Sequence, residues 1–167
     1  MDSSETVAKE VTLALYPNTN GVCYAIFDKP DNLIDYGVKT VRPVCNTKSM
    51  KHVGDLLDYY RPTVVLVEST IGSWFKKSDR SKLLIQKIRE KAKRKKLEVY
   101  SYSRSQIREV FKQFKAKSKY EMACLIGKWQ TTLSDRVPKP RKCTQSESFN
   151  MGIFDATSLA LTHFYLQ

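Results

Sequence analysis

The sequence has no long apolar run, which argues against a helix that crosses a membrane. No window approaches the roughly 18 continuous apolar residues that such a helix needs. The N-terminus, MDSSETVAKE, also lacks the basic and then apolar order of a signal peptide and the arginines of a transit peptide. We expect residues 1–10 to be a flexible leader and residues 11–167 to form one domain, since a chain of this length suits one core.

Cysteine and histidine are scarce, and their spacing does not predict a zinc site. The four cysteines form no C-x-x-C pair, and neither His52 nor His163 stands at a zinc-ligand spacing from them. Free thiols are maintained in reducing compartments. We therefore expect an intracellular protein, in the cytoplasm, the nucleoid or a viral replication site.

Acidic residues are few in the middle of a chain whose net charge is +12. Residues 76–119 hold 17 lysines and arginines against 4 acidic residues, whereas the remainder holds 12 basic and 13 acidic residues. This density predicts a polyanionic partner, of which nucleic acid is the commonest. A membrane surface or another acidic partner is the alternative.

The basic residues form clusters that we predict to contact a phosphate backbone. One cluster recurs at helical spacing opposite the apolar residues Leu84, Ile88 and Ala92, and the last surrounds PKPRK. Such contacts add salt-dependent affinity without reading sequence. The predicted nucleic-acid-binding residues are Lys76, Lys77, Arg80, Lys87, Lys91, Arg94, Lys95, Lys112, Lys115, Lys117, Lys119, Arg141 and Lys142.

Hydrophobic periodicity predicts five strands and five helices in one α/β domain. A nearly continuous apolar run, TVVLVE, is typical of a parallel strand covered on both faces. The order β-β-β-α-β-α-β-α-α-α predicts a mixed five-stranded sheet flanked by helices. Strands are predicted over 11–16, 21–27, 33–41, 63–68 and 97–101, a turn at PNTN, helices over 49–60, 81–96, 103–114, from 118 and over 152–166, and a loop over 135–148.

This order resembles the ribonuclease H-like fold, and several strings resemble RuvC-type Holliday junction resolvases. LALYPNTNGVCYAI resembles the family's first hairpin, and VVLVEST its parallel strand, whose metal-binding glutamate falls on Glu68. VYSYSRSQIREVF followed by KSKYEMACLI resembles the next strand and helices. PKPRK followed by FDATSLALTHFY resembles the proline-rich loop and final helix, whose aspartate falls on Asp155. The resemblance covers nearly the whole chain from about residue 11.

The resemblance implies a homodimeric endonuclease that cleaves four-way DNA junctions with Mg²⁺ or Mn²⁺ held by carboxylates. Glu68 and Asp155 match the family's catalytic and metal-binding positions. Tyr16 replaces the aspartate of the first strand, and Gly152 stands three residues before Asp155 without any ligand. Two of four ligand positions are therefore kept, and a phenol would ligate only if deprotonated.

These replacements leave two main hypotheses for function. The first is a metal-dependent junction endonuclease, in which Asn18, Asn20 or Glu147 lends an oxygen to the site. The second is a catalytically inactive relative that binds structured nucleic acid as a scaffold. A third, less supported, is a subunit of this fold that binds protein through its sheet.

Individual residues also have plainer interpretations. Glu68 could be a solvated carboxylate at a strand end, and Asp155 a first-turn acid favoured by the helix dipole. Trp74 and Phe75 follow Glu68 closely and are candidates for stacking on unpaired bases at a junction. Both rings could instead cover the core.

Overall fold

The centre of the fold is a mixed five-stranded sheet, seen in a computed structural model that describes residues 10–72, 75 and 77–167. Strands β1 (Thr12–Asn18), β2 (Gly21–Lys29) and β3 (Asn32–Thr40) are antiparallel. Strands β4 (Val64–Glu68) and β5 (Glu98–Tyr102) run parallel to β1, and the order is β3-β2-β1-β4-β5. The predicted α/β fold is confirmed, while residues 1–9 of the predicted leader lie outside the described residues.

Helices cover both faces of the sheet. Helices α1 (Asn46–Tyr60) and α2 (Asp79–Arg94) pack on one face. Helices α3 (Arg104–Lys112), α4 (Lys119–Trp129) and α5 (Met151–Leu166) pack on the other. None of the described helices is long and apolar enough to cross a membrane.

The alternation of side chains along β1 divides the core between these two faces. Leu13 and Leu15 pack with the α1 and α2 side, whereas Ala14 and Tyr16 pack with the α5 side. Successive residues of a strand point to opposite faces, so this division follows from the sequence. The small Ala14 lets α5 lie close to the sheet, and most of α5 is buried.

Several boundaries differ from the predictions for local reasons. The predicted PNTN turn is shorter, because Pro17 and Asn18 extend β1 by pairing with Val22 and Gly21. Helix α1 begins at Asn46 rather than Ser49, and the Asn46 side chain donates to the Arg80 carbonyl. A 3-10 helix over Thr131–Arg136 enters the region predicted as a loop.

The strands and helices meet at two opposite ends of the domain. At one end, which we call the site end, β1 and β4 finish and α3, α4 and α5 begin. At the other, the far end, these three helices finish, and the Phe164 ring lies 5.5 Å from that of Phe27 at the start of the β1–β2 pairing. Residues at the first turns of α3, α4 and α5 are therefore gathered beside the ends of β1 and β4.

The first turn of α3 is fixed by a reciprocal cap. Ser103 Oγ accepts from the Gln106 amide at 3.2 Å, and Gln106 Oε1 accepts from the Ser103 amide at 2.8 Å. We expect Ser103→Ala to lower the free energy of unfolding by about 1 kcal/mol, because the cap satisfies amides that the helix leaves unpaired. Urea unfolding measures this. Ser105→Ala, at an exposed position on the same turn, is the control and should change stability little; an equal loss in both would contradict the capping account.

Candidate functional site

Two buried carboxylates meet at the site end with an arginine between them. Glu68 ends β4 and is 6% exposed. Asp155 is the fifth residue of α5 and is 4% exposed, so it lies just beyond the first turn and is not the first-turn acid of the plainer interpretation. Arg104 Nη2 lies 3.9 Å from Glu68 Oε1 and 3.6 Å from Asp155 Oδ1. The structure thus brings the two predicted site residues together, but on either side of a guanidinium group.

Lys77 enters the same cluster from the segment before α2. Its Nζ lies 3.3 Å from Glu68 Oε2, donates to the Pro17 carbonyl at 2.6 Å, and stands 3.3 Å from the centroid of the Tyr16 ring. Glu68 Oε2 accepts no hydrogen bond of good geometry, so the Lys77 contact is a charge pair. Burial lowers the pKa of Lys77, while Glu68 and Asp155 act in the opposite direction.

Lys119, at the start of α4, supplies a third cation. Its Nζ lies 3.2 Å from Asp155 Oδ2 and 3.3 Å from Glu147 Oε2. Burial raises the pKa of Asp155, and the charges of Lys119 and Arg104 oppose that rise. Three cations from three segments therefore face three carboxylates, and the formal charges of the cluster cancel.

Tyr16 of β1 brings a neutral side chain into the cluster. Its hydroxyl accepts a hydrogen bond from Arg104 Nη2 at 3.1 Å. Burial raises the pKa of Tyr16, and the nearby charges of Asp155 and Glu68 raise it further. The phenol is therefore protonated at neutral pH and supplies neither an anionic metal ligand nor a phenolate nucleophile.

Gly152, near the start of α5, has no room for a side chain. A Cβ atom at Gly152 would lie 2.2 Å from Cys23 Sγ and 2.7 Å from Asn18 Nδ2. Asn18 donates to Cys23 Sγ at 3.3 Å and accepts from the Asn20 amide at 2.9 Å, so both ends of its amide are engaged. Burial, the largest cause, raises the pKa of Cys23 to about 12, which keeps the thiol neutral.

The two-ion centre that the resemblance implies does not fit these residues. Mg²⁺ needs converging oxygen ligands, but Glu68 and Asp155 already face cations at 3 to 4 Å. In the part of the chain that the structure describes, no group of three or more His, Cys, Asp or Glu side chains is arranged to hold a metal. A divalent ion between the carboxylates would also be repelled by Arg104 and Lys77. We derive no hydrolytic step through a metal.

A cleft and a crevice flank the cluster. The cleft beside Lys119 has a volume of about 770 Å³, and Lys139 and Arg141 are among the residues that line it. The crevice, of about 190 Å³, lies between Glu68, Phe75 and the first turn of α3. Three basic residues, Lys119, Lys139 and Arg141, thus line the cleft together with Glu147.

The predicted nucleic-acid-binding residues do not form a single surface. Lys91 and Lys95 lie at the far end of α2 and face α1, where Lys95 Nζ is 3.0 Å from Asp58 Oδ1 and Lys91 Nζ approaches Gly54. Arg80, by contrast, lies at the start of α2 and donates to Asn46 Oδ1. The side chains of Lys87, Arg94, Lys112, Lys115, Lys117, Arg141 and Lys142 are exposed. Their contact with DNA stays a prediction.

The predicted aromatic pair is described only at Phe75. That ring is half-buried, packs against the core shared with α2 and lines the crevice beside Glu68. Trp74 and Lys76 lie outside the described residues. Stacking on unpaired bases therefore stays a prediction for both rings.

Arg104, the central residue of the cluster, was missed by sequence reasoning. It follows the N-cap Ser103 and so stands at the first position of a helix. A cation is unfavourable there, because the helix N-terminus carries partial positive charge. That unusual placement was the available signal that a buried anion lay nearby.

Comparisons with solved structures show the fold. The chain is similar to Thermus thermophilus RuvC in complex with a Holliday junction substrate (18% identity, 94% of each chain, TM-score 0.63). It is also similar to the fowlpox virus resolvase in complex with Holliday junction DNA (20% identity, 93% of this chain and 99% of that one, TM-score 0.54). A third similar structure is the yeast mitochondrial Holliday junction resolvase Ydc2 (10% identity, 93% and 79%, TM-score 0.59). No protein-family model and no curated protein matches the sequence.

The cation-filled cluster predicts that divalent ions do not stabilise the protein. We expect the melting temperature to be the same with Mg²⁺, with Mn²⁺ and with chelator, because the carboxylates are already neutralised. Arg104→Met should cost about 3 kcal/mol of stability by leaving buried carboxylates unpaired. Adding Lys77→Met should make the protein respond to Mg²⁺ with a higher melting temperature.

The control for this comparison is Arg108→Met, an exposed position on the same helix. It should leave both stability and the lack of a Mg²⁺ response unchanged. Saturable Mg²⁺ binding to the unaltered protein in calorimetry would contradict the electrostatic account of the site.

The closed position at Gly152 predicts a second stability effect. Gly152→Ala should destabilise the protein by about 1–3 kcal/mol, in spite of the helix propensity of alanine, because the new methyl group meets Cys23. Combining it with Cys23→Ala should recover part of that loss. Gly54→Ala is the matched control, since only the flexible end of Lys91 lies near its Cβ position. If the stability losses of Gly152→Ala and Cys23→Ala simply add in the double variant, that result would count against a direct clash between these two side chains.

Proposed function

We propose that this protein binds branched DNA, four-way junctions foremost, and does not hydrolyse it. The observation that carries the proposal is the position of Arg104 and Lys77 among the carboxylates of Glu68 and Asp155. Cations fixed to the chain stand where this fold's nucleases would need exchangeable metal ions. These cations neutralise the carboxylates, but they do not activate a water molecule for hydrolysis as a bound metal ion would.

A self-neutralised cluster also changes how DNA can approach the site end. Bare carboxylates repel a phosphate backbone until metal ions bind, whereas this cluster sums to no formal charge. The overall charge of +12 then dominates and attracts DNA in the absence of divalent ions. Metal-independent binding is the direct electrostatic consequence.

The contact surface we propose is the site end around the larger cleft. It combines Lys117 and Lys119 at the start of α4 with Lys139, Arg141 and Lys142 of the proline-rich loop. Similar folds in complex with Holliday junctions support junctions as the substrate class. We also propose a homodimer, since two copies related by a two-fold axis suit the symmetry of a four-way junction.

Hydrolysis by the alternative, metal-dependent mechanism is less well supported. It would require a divalent ion to displace Lys77 or Arg104 from carboxylates that are buried with them. Transesterification through Tyr16 is disfavoured as well, because the phenol is buried and its pKa is raised. Binding without cleavage is therefore the function that the geometry favours.

The test is a gel series on a labelled four-way junction beside a duplex of matched length. We expect a shifted, uncut junction with Mg²⁺, with Mn²⁺ and with chelator, and tighter binding of the junction than of the duplex. Neutralising Lys139, Arg141 and Lys142 to glutamine should weaken binding and reduce the salt slope by about 2–3, since each lost phosphate contact removes about 0.9. Sedimentation of the complex gives the number of protein copies.

Two comparisons make this experiment decisive. The double variant Lys91→Gln/Lys95→Gln removes two charges at the far end and should leave junction binding nearly unchanged. Glu68→Gln distinguishes cleavage by this site from cleavage by a contaminating nuclease. Metal-dependent nicks near the crossover that disappear in Glu68→Gln would overturn the non-cleaving proposal, and no shift at low salt would overturn DNA binding altogether.

A further inference from the structure

An apolar groove lies at the far end of the domain, away from the carboxylate cluster. It has a volume of about 240 Å³ and is formed where α3, α4 and α5 finish beside the β2–β3 turn. Phe111 and Phe114, Trp129, Tyr165 and Pro30 are among its lining residues. Nothing in the proposed contact with DNA uses this groove.

The aromatic residues of the groove are unusually exposed. Phe114 and Trp129 are each 43% exposed, and Tyr165 is 47% exposed. The Phe114 ring stands edge-on to both others, with centroids 5.0 Å from Trp129 and 6.0 Å from Tyr165. A contiguous aromatic surface of this kind marks an interaction site more often than a chance arrangement.

Lysines adjoin the groove in the sequence. Lys112, Lys115 and Lys128 are exposed, and each directly neighbours a residue that lines the groove, whereas Glu109 is the acidic neighbour on the same helices. The turn beside Pro30 adds Lys29 but also Asp28 and Asp31. The helix side of the groove is therefore net basic, which fits an occupant that combines an apolar side chain with acidic residues.

The shape of the groove favours a peptide over a nucleic-acid base. Its wall is almost entirely apolar, and in both edge-on pairs of Phe114 the edge of one ring contacts the face of the other. A stacked base needs a free, flat ring face and polar partners for its edges. A leucine or phenylalanine side chain needs only apolar contact, which this concave surface supplies.

We infer that this groove docks an acidic peptide segment of a partner protein through a leucine or phenylalanine anchor. The anchor inserts between Phe114, Trp129 and Tyr165, while the acidic residues lie along Lys112, Lys115 and Lys128. Asp155 and Tyr165 are ten residues apart on α5, or about 15 Å along a helix. The groove and the site end are thus far enough apart to be occupied together.

The experiment is fluorescence anisotropy of the full chain with a labelled acidic peptide that ends in Leu-Phe. We expect saturable binding that is about tenfold weaker when the last two residues are Ser-Ser, and about tenfold weaker for Trp129→Ala or Phe114→Ser. Lys112→Gln/Lys115→Gln should weaken binding and flatten its salt dependence. Tyr59→Ser, an exposed aromatic of α1, is the matched control and should bind as the unaltered chain does.

Circular dichroism melting of each variant confirms that the fold is intact, so a loss of binding reports on the groove. Equal binding of the Leu-Phe and Ser-Ser peptides, or no binding by the unaltered chain, overturns the inference. Displacement of the peptide by oligothymidine, with oligothymidine binding lost in Trp129→Ala, would reassign the groove to single-stranded DNA. Self-association of the protein that is lost in Trp129→Ala would reassign the groove to a second copy of this chain. Peptide binding that is seen only after residues 1–9 are removed would reassign the groove to that segment.

Discussion

The fold of the site end depends on the charge balance between two buried carboxylates and Arg104. Glu68 and Asp155 come from a strand and a helix that must lie close together for the core to form. Without a cation, their burial would cost several kcal/mol per ion. The guanidinium group spans both, and its pKa shows the competition: burial opposes its charge, but Asp155, Tyr16 and Glu68 raise the pKa overall. The side chain of Arg104 therefore allows β4 and α5 to pack together and also neutralises the carboxylates that this packing buries.

The residues around this arginine contact each other as well as the arginine. Tyr16 accepts a hydrogen bond from Arg104 and also offers its ring to Lys77. Cys23, which pairs with Tyr16 across the hairpin, closes the space at Gly152. A carboxylate introduced at Tyr16 alone would therefore meet two lysines and an arginine already engaged with other acids. Tyr16, Cys23 and Gly152 thus form one consistent arrangement with the cations of the cluster.

Local patterns in the sequence predicted the sheet and the helix order, whereas the meeting of Glu68 with Asp155 was implied by the resemblance to RuvC-type resolvases. TVVLVE is almost wholly apolar up to its final glutamate, which is typical of a buried parallel strand. An acid that ends such a strand lies where the parallel strands finish. Arg104 and the role of Lys77 were not predicted. The position of a cation at the start of a helix was a signal for Arg104, but Lys77 precedes α2 without a comparable signal. The closing of Gly152 by Cys23 was equally hidden, because it depends on an interatomic distance across two elements. The 3-10 helix was missed because it has no strong periodicity.

The bond from Lys77 to the Pro17 carbonyl has a mechanical consequence. It fastens Lys77, which lies between β4 and α2, to the last residues of β1. Pulling this residue outward would separate it from Glu68 and leave an anion uncovered in the interior. That separation therefore costs free energy. The position of Lys77 and the neutralisation of Glu68 are therefore linked, so that a displacement of one changes the electrostatics of the other.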